Sequence, residues 1–145
     1  MTATPGPAEL VERARAHSRA AQVLVVAFAW LVGAYAAWLG GDYGLGLGSV
    51  VGFGLVGAYV LLQQPSARAV AARGCYLLAG LVLVTPVFLN LPVLTGGAPG
   101  VIDPAAMVFH PGTYAMALVF VALAAVLAAV GYGLGRRRAA PGTEP

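Results

Sequence analysis

Residues 112–134 read GTYAMALVFVALAAVLAAVGYGL, a run without a single Asp, Glu, Lys or Arg. A helix rises about 1.5 Å per residue, so this run is long enough to cross the roughly 30 Å of hydrocarbon in a bilayer. Arg136, Arg137 and Arg138 follow at once and mark where the chain returns to water. Three more uncharged runs lie upstream, at about 20–40, 43–62 and 75–94. One charged residue at a helix centre costs roughly 2.5 to 3.5 kcal/mol on insertion, a penalty that none of the four carries.

Composition agrees with lipid as the solvent. The chain of 145 residues is 60% hydrophobic and 9% charged, against roughly 45 to 50% and 25% in soluble domains. Eight basic and five acidic residues cannot cover a soluble fold of this size. All eight basic residues are arginine, in short clusters beside apolar runs, so they orient a membrane protein and do not form a nucleic-acid stripe. Their exclusive use fits a GC-rich codon bias, and the expected location is the plasma membrane of a prokaryote. The single Cys75 leaves no pair for a disulfide, thiol exchange or a Cys-rich metal site.

The breaks between runs are sharp. Gly40, Gly41 and Asp42 turn the chain after the first span, and Gln63, Gln64, Pro65 and Ser66 close the second. Residues 95–100 are too rich in Gly and Pro to continue the third. Asp103 before Pro104 reads as an N-cap that opens a short outer interfacial helix over 103–110, interrupted by Pro111 and Gly112. Residues 7–19 extend the first helix as an amphiphilic cytoplasmic lead-in with charge pairs such as Glu9 and Arg13. The single membrane domain covers 1–138, and the polar tail 139–145 is expected to be disordered.

Arginine placement fixes the orientation. Arg13, Arg15 and Arg19 precede the first span, Arg68 and Arg73 separate the second from the third, and Arg136, Arg137 and Arg138 follow the fourth. The other two connections have none. Short Arg-rich loops stay cytoplasmic, so both termini are inside and Asp42 and Asp103 outside. The fold class is thus an all-α integral membrane protein, an antiparallel four-transmembrane-helix bundle. A cleaved signal peptide ending near Ala34 and Ala36 is the competing reading of the first span. Its apolar run continues through Trp38 and Leu39, longer than a signal core, so the span is expected to remain.

Within lipid, helices associate through small residues that let backbones approach. Gly44, Gly48 and Gly52 recur every four residues in the second span, with Gly54 and Ala58 continuing on a neighbouring face. The second span is therefore expected to be the most enclosed, with Gly131 and the alanines of the fourth packed on it. Pro86 interrupts the third span and frees a carbonyl, predicting a kink that Thr85 helps to satisfy. Trp30, in mid-span, is expected to pack inside, whereas Trp38, Tyr43, Tyr76, Tyr114 and Tyr132 lie toward span ends as interface anchors.

Several chemistries are excluded by residue type. Proton- or cation-coupled transport usually leaves an ionisable residue inside a span, which separates this chain from four-helix drug exporters that depend on a buried carboxylate. A lone cysteine excludes quinone-linked disulfide chemistry. His17 and His110 are too far apart for bis-histidine haem, and no cofactor is expected. His110, Asp103 and Asp42 form a weak candidate metal site at the outer face, with Asn90 as the floor of a polar pocket.

None of these motifs is diagnostic of a family. The leading expectation is a non-enzymatic accessory, assembly or scaffold subunit whose partners are the bilayer, other membrane subunits or a second copy. A small channel or carrier for a neutral solute, passing Thr85 and Asn90, is the alternative. A metal-dependent membrane enzyme at the outer face comes third.

Overall fold

The computed structural model describes residues 7–40, 46–94 and 110–136. The described residues form the helices α1 (Pro7–Ala16), α2 (Arg19–Gly40), α3 (Gly46–Leu62), α4 (Ala67–Leu94) and α5 (Pro111–Arg136). No strand occurs among the described residues. Among the described residues, three helices are long and apolar enough to cross a bilayer, α2 over 22 residues, α4 over the 25 from Ala67 to Leu91 and α5 over 26. The described part of α3 is apolar and shorter, at 17 residues. Large apolar side chains face outward on all four, among them Val23, Leu55, Leu83 and Leu118. A membrane accommodates such a surface and water does not.

The lead-in does not run into the first span as the sequence suggested. α1 stops at Ala16 and α2 starts afresh at Arg19. Ser18 causes the break by capping: its Oγ accepts from the Ala21 N–H at 3.3 Å and its carbonyl from the Gln22 N–H at 3.0 Å. The Gln22 side-chain amide then donates back to the Ala14 carbonyl at 2.8 Å and the His17 carbonyl at 3.2 Å, covering acceptors that the end of α1 leaves open. His17 Nε2 donates to the Gln64 carbonyl at 2.8 Å, tying this corner to the turn between α3 and α4.

The third span also begins earlier than expected. Ser66 caps α4 in the same manner, accepting from Ala69 N–H at 3.3 Å through Oγ and from Val70 N–H at 2.9 Å through its carbonyl. Helix therefore starts at Ala67 instead of near Cys75, and Arg68 and Arg73 stand on its first two turns. At the far side, Pro111 is the first residue of α5, where its missing N–H costs nothing.

The helices pack in the order α3, α2, α4, α5. Neighbours α2 and α3 are antiparallel, as are α4 and α5, while α2 and α4 run parallel. Each interface includes a glycine with no room for a side chain. A Cβ on Gly33 of α2 would run into the Val50 carbonyl of α3, one on Gly74 of α4 would meet the Phe28 ring of α2, and one on Gly131 of α5 would lie 3.0 Å from the Ala72 carbonyl of α4. Val25, Leu61 and Val70 form one apolar cluster where α2, α3 and α4 meet. Ala79, Val82 and Ala124 form a second, against which Tyr35 packs.

The second span is not the most enclosed, contrary to expectation, and it does not pack on the fourth. An added Cβ on Gly48 or Gly52 would meet nothing within 4 Å, whereas one on Gly54 would lie 3.3 Å from the Ala29 carbonyl. The reason is helical geometry: residues two apart, such as Gly52 and Gly54, point about 200° away from each other. Only one of the two small faces can meet α2. Gly54, Gly57 and Ala58 take that contact, and Gly48 and Gly52 turn outward. Gly44 lies outside the described residues. Trp30 corrects another expectation, since it is 66% exposed on the outer side of α2.

These contacts separate the glycines by consequence. Gly33→Ala is expected to destabilise the protein by about 1 to 3 kcal/mol, the usual cost of overpacking. Gly48→Ala and Gly52→Ala should be neutral or slightly stabilising. Thermal unfolding of the three variants in one detergent reads the difference, and equal melting temperatures would contradict the placement of Gly33.

Candidate functional site

Chemistry in a membrane helix begins with its polar side chains, because each must find a partner inside its own protein. Thr85 is fully buried on α4. Its hydroxyl donates to the Leu81 carbonyl at 2.9 Å, one turn back, and lies 2.6 Å from the Tyr35 hydroxyl of α2. With the threonine proton directed at Leu81, the Tyr35 O–H is the donor to Thr85 Oγ1. The pair is a hydrogen-bonded bridge between the two central helices.

Pro86 follows immediately, and α4 is helical on both sides of it. Proline cannot donate to the Val82 carbonyl, so one rung of the helix ladder is missing at this level. Thr85 is bonded to Leu81 and Tyr35, and thus reinforces the neighbouring rung. Asn90 donates its side-chain amide to the Pro86 carbonyl at 2.7 Å. Thr85 and Asn90 are therefore engaged within the protein, and do not present a row of free polar groups along a path. The space near this level, between Phe53, Leu81, Val84 and Phe88, is an apolar groove of about 300 Å³.

At the opposite end of the sequence's candidate list, His110 caps α5. Its Nδ1 accepts from the Gly112 N–H at 3.1 Å and its carbonyl from the Thr113 N–H at 2.9 Å. That bond fixes the hydrogen on Nε2 of the neutral ring. Asp42, Asp103 and the proposed helix over 103–110 fall outside the described residues, apart from His110 itself. Among the described residues no three His, Cys, Asp or Glu side chains come together as a metal site.

Arginine-bearing segments gather at one end of the helices. The start of α2 with Arg19, the start of α4 with Arg68 and Arg73 and the end of α5 with Arg136 all lie there, since α2 and α4 are parallel and α5 opposes them. Arg15 and the backbone of Arg13 are on α1, which packs against α3. The Arg136 guanidinium is 5.7 Å from the centre of the Tyr132 ring, a cation–π contact. Arg137 and Arg138 are outside the described residues.

Tyr35 was the functional residue missed in the sequence. Its hydroxyl sits in mid-span, 50 residues from its partner, and the sequence alone contains no sign of which helix it would meet. The available signal was physical: a phenol inside a span needs an acceptor, and Thr85 is among the few on offer. No protein-family model, curated protein or solved structure matches this chain.

The bridge is expected to respond unequally to removal of its two halves. Tyr35→Phe leaves Thr85 bonded to Leu81 and should cost well under 1 kcal/mol, whereas Thr85→Val strands the Tyr35 hydroxyl and should cost about 1 kcal/mol or more. A double-mutant cycle on unfolding in detergent should give a coupling of about 0.6 kcal/mol. Zero coupling would mean that the two hydroxyls do not interact.

Proposed function

We propose that the chain crosses the membrane four times with both termini in the cytoplasm, and that it serves as a non-catalytic accessory, assembly or scaffold subunit of a membrane complex. The fourth crossing would be α3. Its described residues are uncharged, and it lies antiparallel along α2, from Val50 opposite Gly33 to Leu61 beside Val25. A segment of about 17 residues is at the short end of what spans a bilayer. Orientation is supported by the arginines, which share one end of the helices.

One observation carries the accessory reading. Gly48 and Gly52 open outward on α3, flanking a groove with Phe53 and Val56 that none of the described helices fills. Small residues on a helix face lower the distance at which another helix can pack, and in lipid that is the main source of helix association. The polar groups inside the helices support the same reading, because the Thr85 hydroxyl and the Asn90 amide are already held by bonds within the protein. A carrier whose route passes them is therefore disfavoured, and so is catalysis that uses His110 through Nδ1.

Leucine at positions 48 and 52 tests this directly. Both sites have room around an added Cβ, so Gly48→Leu/Gly52→Leu should fold as the parent does. Isolation in mild detergent followed by mass spectrometry should recover one membrane partner, or a second copy, in fixed ratio with the parent and at least tenfold less with the variant. A parent that purifies as a lone monomer would refute the reading. Orientation is checked separately: a tag after residue 145 should resist protease added outside intact cells.

A further inference from the structure

The arginine-bearing end holds a notch whose chemistry is distinct from the apolar grooves elsewhere. It lies between the first turns of α4 and the last turn of α5, with a volume of about 190 Å³. Ala69 and Ala72 on α4 and Gly135 on α5 are small, and their lack of bulk creates the space. Arg68, Arg73 and Tyr76 stand around it, with Gln64 from the preceding turn. Arg73 and Tyr76 are exposed, so their polar ends can reach a ligand at the rim.

Charge is unbalanced here. The five acidic residues of the chain are Glu9, Glu12, Asp42, Asp103 and Glu144, none of them on α4 or α5. Two guanidinium groups thus border one small space that their own helices do not neutralise. Arginine offers paired donors that match the oxygens of a phosphate, which makes a phosphate-bearing anion the complementary ligand. The notch also has space for such a group. At about 30 Å³ for each water, the notch has room for about six, enough for a phosphate and part of what it is attached to.

We infer that this notch binds the phosphate of an anionic phospholipid headgroup, with Arg68 and Arg73 as its charge-bearing ligands. The inference rests on the chain spanning the bilayer and is independent of any partner protein. Lipid is the source favoured over soluble phosphate by position: the notch opens where the apolar helix surfaces end. Tyr132, stacked with Arg136 on the last turns of α5, and the exposed Tyr76 place amphipathic rings at this level, as at a membrane interface. Acyl chains below the headgroup would lie along the exposed apolar surface of α5, formed by residues such as Val126 and Val130. Basic pockets between membrane helices at this depth suit anionic headgroups.

The test uses the full chain in mild detergent, offered phosphatidylglycerol or phosphatidylcholine with identical acyl chains, and counts retained lipids by native mass spectrometry. Phosphatidylglycerol should be retained roughly tenfold to thirtyfold more, the ratio that two arginine–headgroup contacts provide. Arg68→Ala/Arg73→Ala should bring the ratio close to one, and Arg15→Ala/Arg19→Ala, which removes the same charge away from the notch, should leave it high. Gly135→Leu keeps both arginines and has open space for its Cβ, so it should abolish the preference by filling the notch; it also serves if the double arginine variant does not fold. Millimolar inorganic phosphate should leave the bound lipid in place.

A preference that survives either notch variant, or falls equally in Arg15→Ala/Arg19→Ala, overturns the assignment. Displacement by inorganic phosphate overturns the lipid as ligand and makes the site one for a soluble anion. Release of the chain from membranes by alkaline carbonate would overturn the spanning reading itself, and is seen without any lipid measurement.

Discussion

Lipid removes the drive that presses helices together in water, so the helix contacts in this chain depend on close fit and on hydrogen bonds between helices. Glycines supply much of that fit at each interface. Gly33 brings α2 against the Val50 backbone, Gly74 admits the Phe28 ring between α4 and α2, and Gly131 sets α5 against the Ala72 backbone. A side chain at any of them would hold two helices apart and remove van der Waals contact along their length. The linear order α3, α2, α4, α5 is a consequence: each glycine joins one pair, and none joins α3 to α5.

The central pair has a second restraint that acts by direction. α2 and α4 run parallel, so no short loop connects them and nothing covalent sets their register. Tyr35 and Thr85 set it instead, through a bond of 2.6 Å that a slide of one turn would break. Its position next to Pro86 matters, since a helix lacking one rung is more easily bent there. At the arginine-bearing end, His17 bonded to the Gln64 carbonyl fixes the same two helices relative to the α3–α4 turn. Register is thus held both at mid-membrane and at the surface.

How much of this could be read from the sequence depends on whether the cause was local. Uncharged runs gave the apolar helices because exclusion of charge from hydrocarbon acts residue by residue. Caps were legible in principle, and Ser18 and Ser66 show the cost of ranking them below hydropathy: both end an expected continuation or start a helix early. Packing was less legible. The spacing of Gly48 and Gly52 resembles a contact face, and so does that of Gly54 and Ala58, yet one helix of this chain can cover only one of them. Gly74 has Val70 and Leu78 at four-residue spacing, so no small-residue motif selects it, whereas Gly33 follows Ala29, which lies on the same side against Gly54 and Gly57. Of the candidate polar residues, Thr85 and Asn90 were visible and their partners were not, because Leu81, Pro86 and Tyr35 offer backbone or distant groups.

The unequal burial of the helices bears on what the fold is for. In α2, 33% of the most apolar window is buried within the protein, against 11% in α5, although both are of full spanning length. Exposure to lipid alone asks only for apolar side chains, and Leu118, Val119 and Val126 on α5 meet that requirement with bulk. Outward glycine on α3 is a different matter. Glycine weakens a helix by about 0.5 to 1 kcal/mol relative to alanine unless close approach offsets the loss. At Gly33 the offset is visible in the contact with Val50; at Gly48 and Gly52 none of the described residues supplies it. The two flanking helices therefore differ in kind: α5 is dressed for lipid along its length and shaped for a ligand only at its arginine-bearing end, while α3 carries on its outer face the same small-residue surface that elsewhere in this protein marks a helix contact.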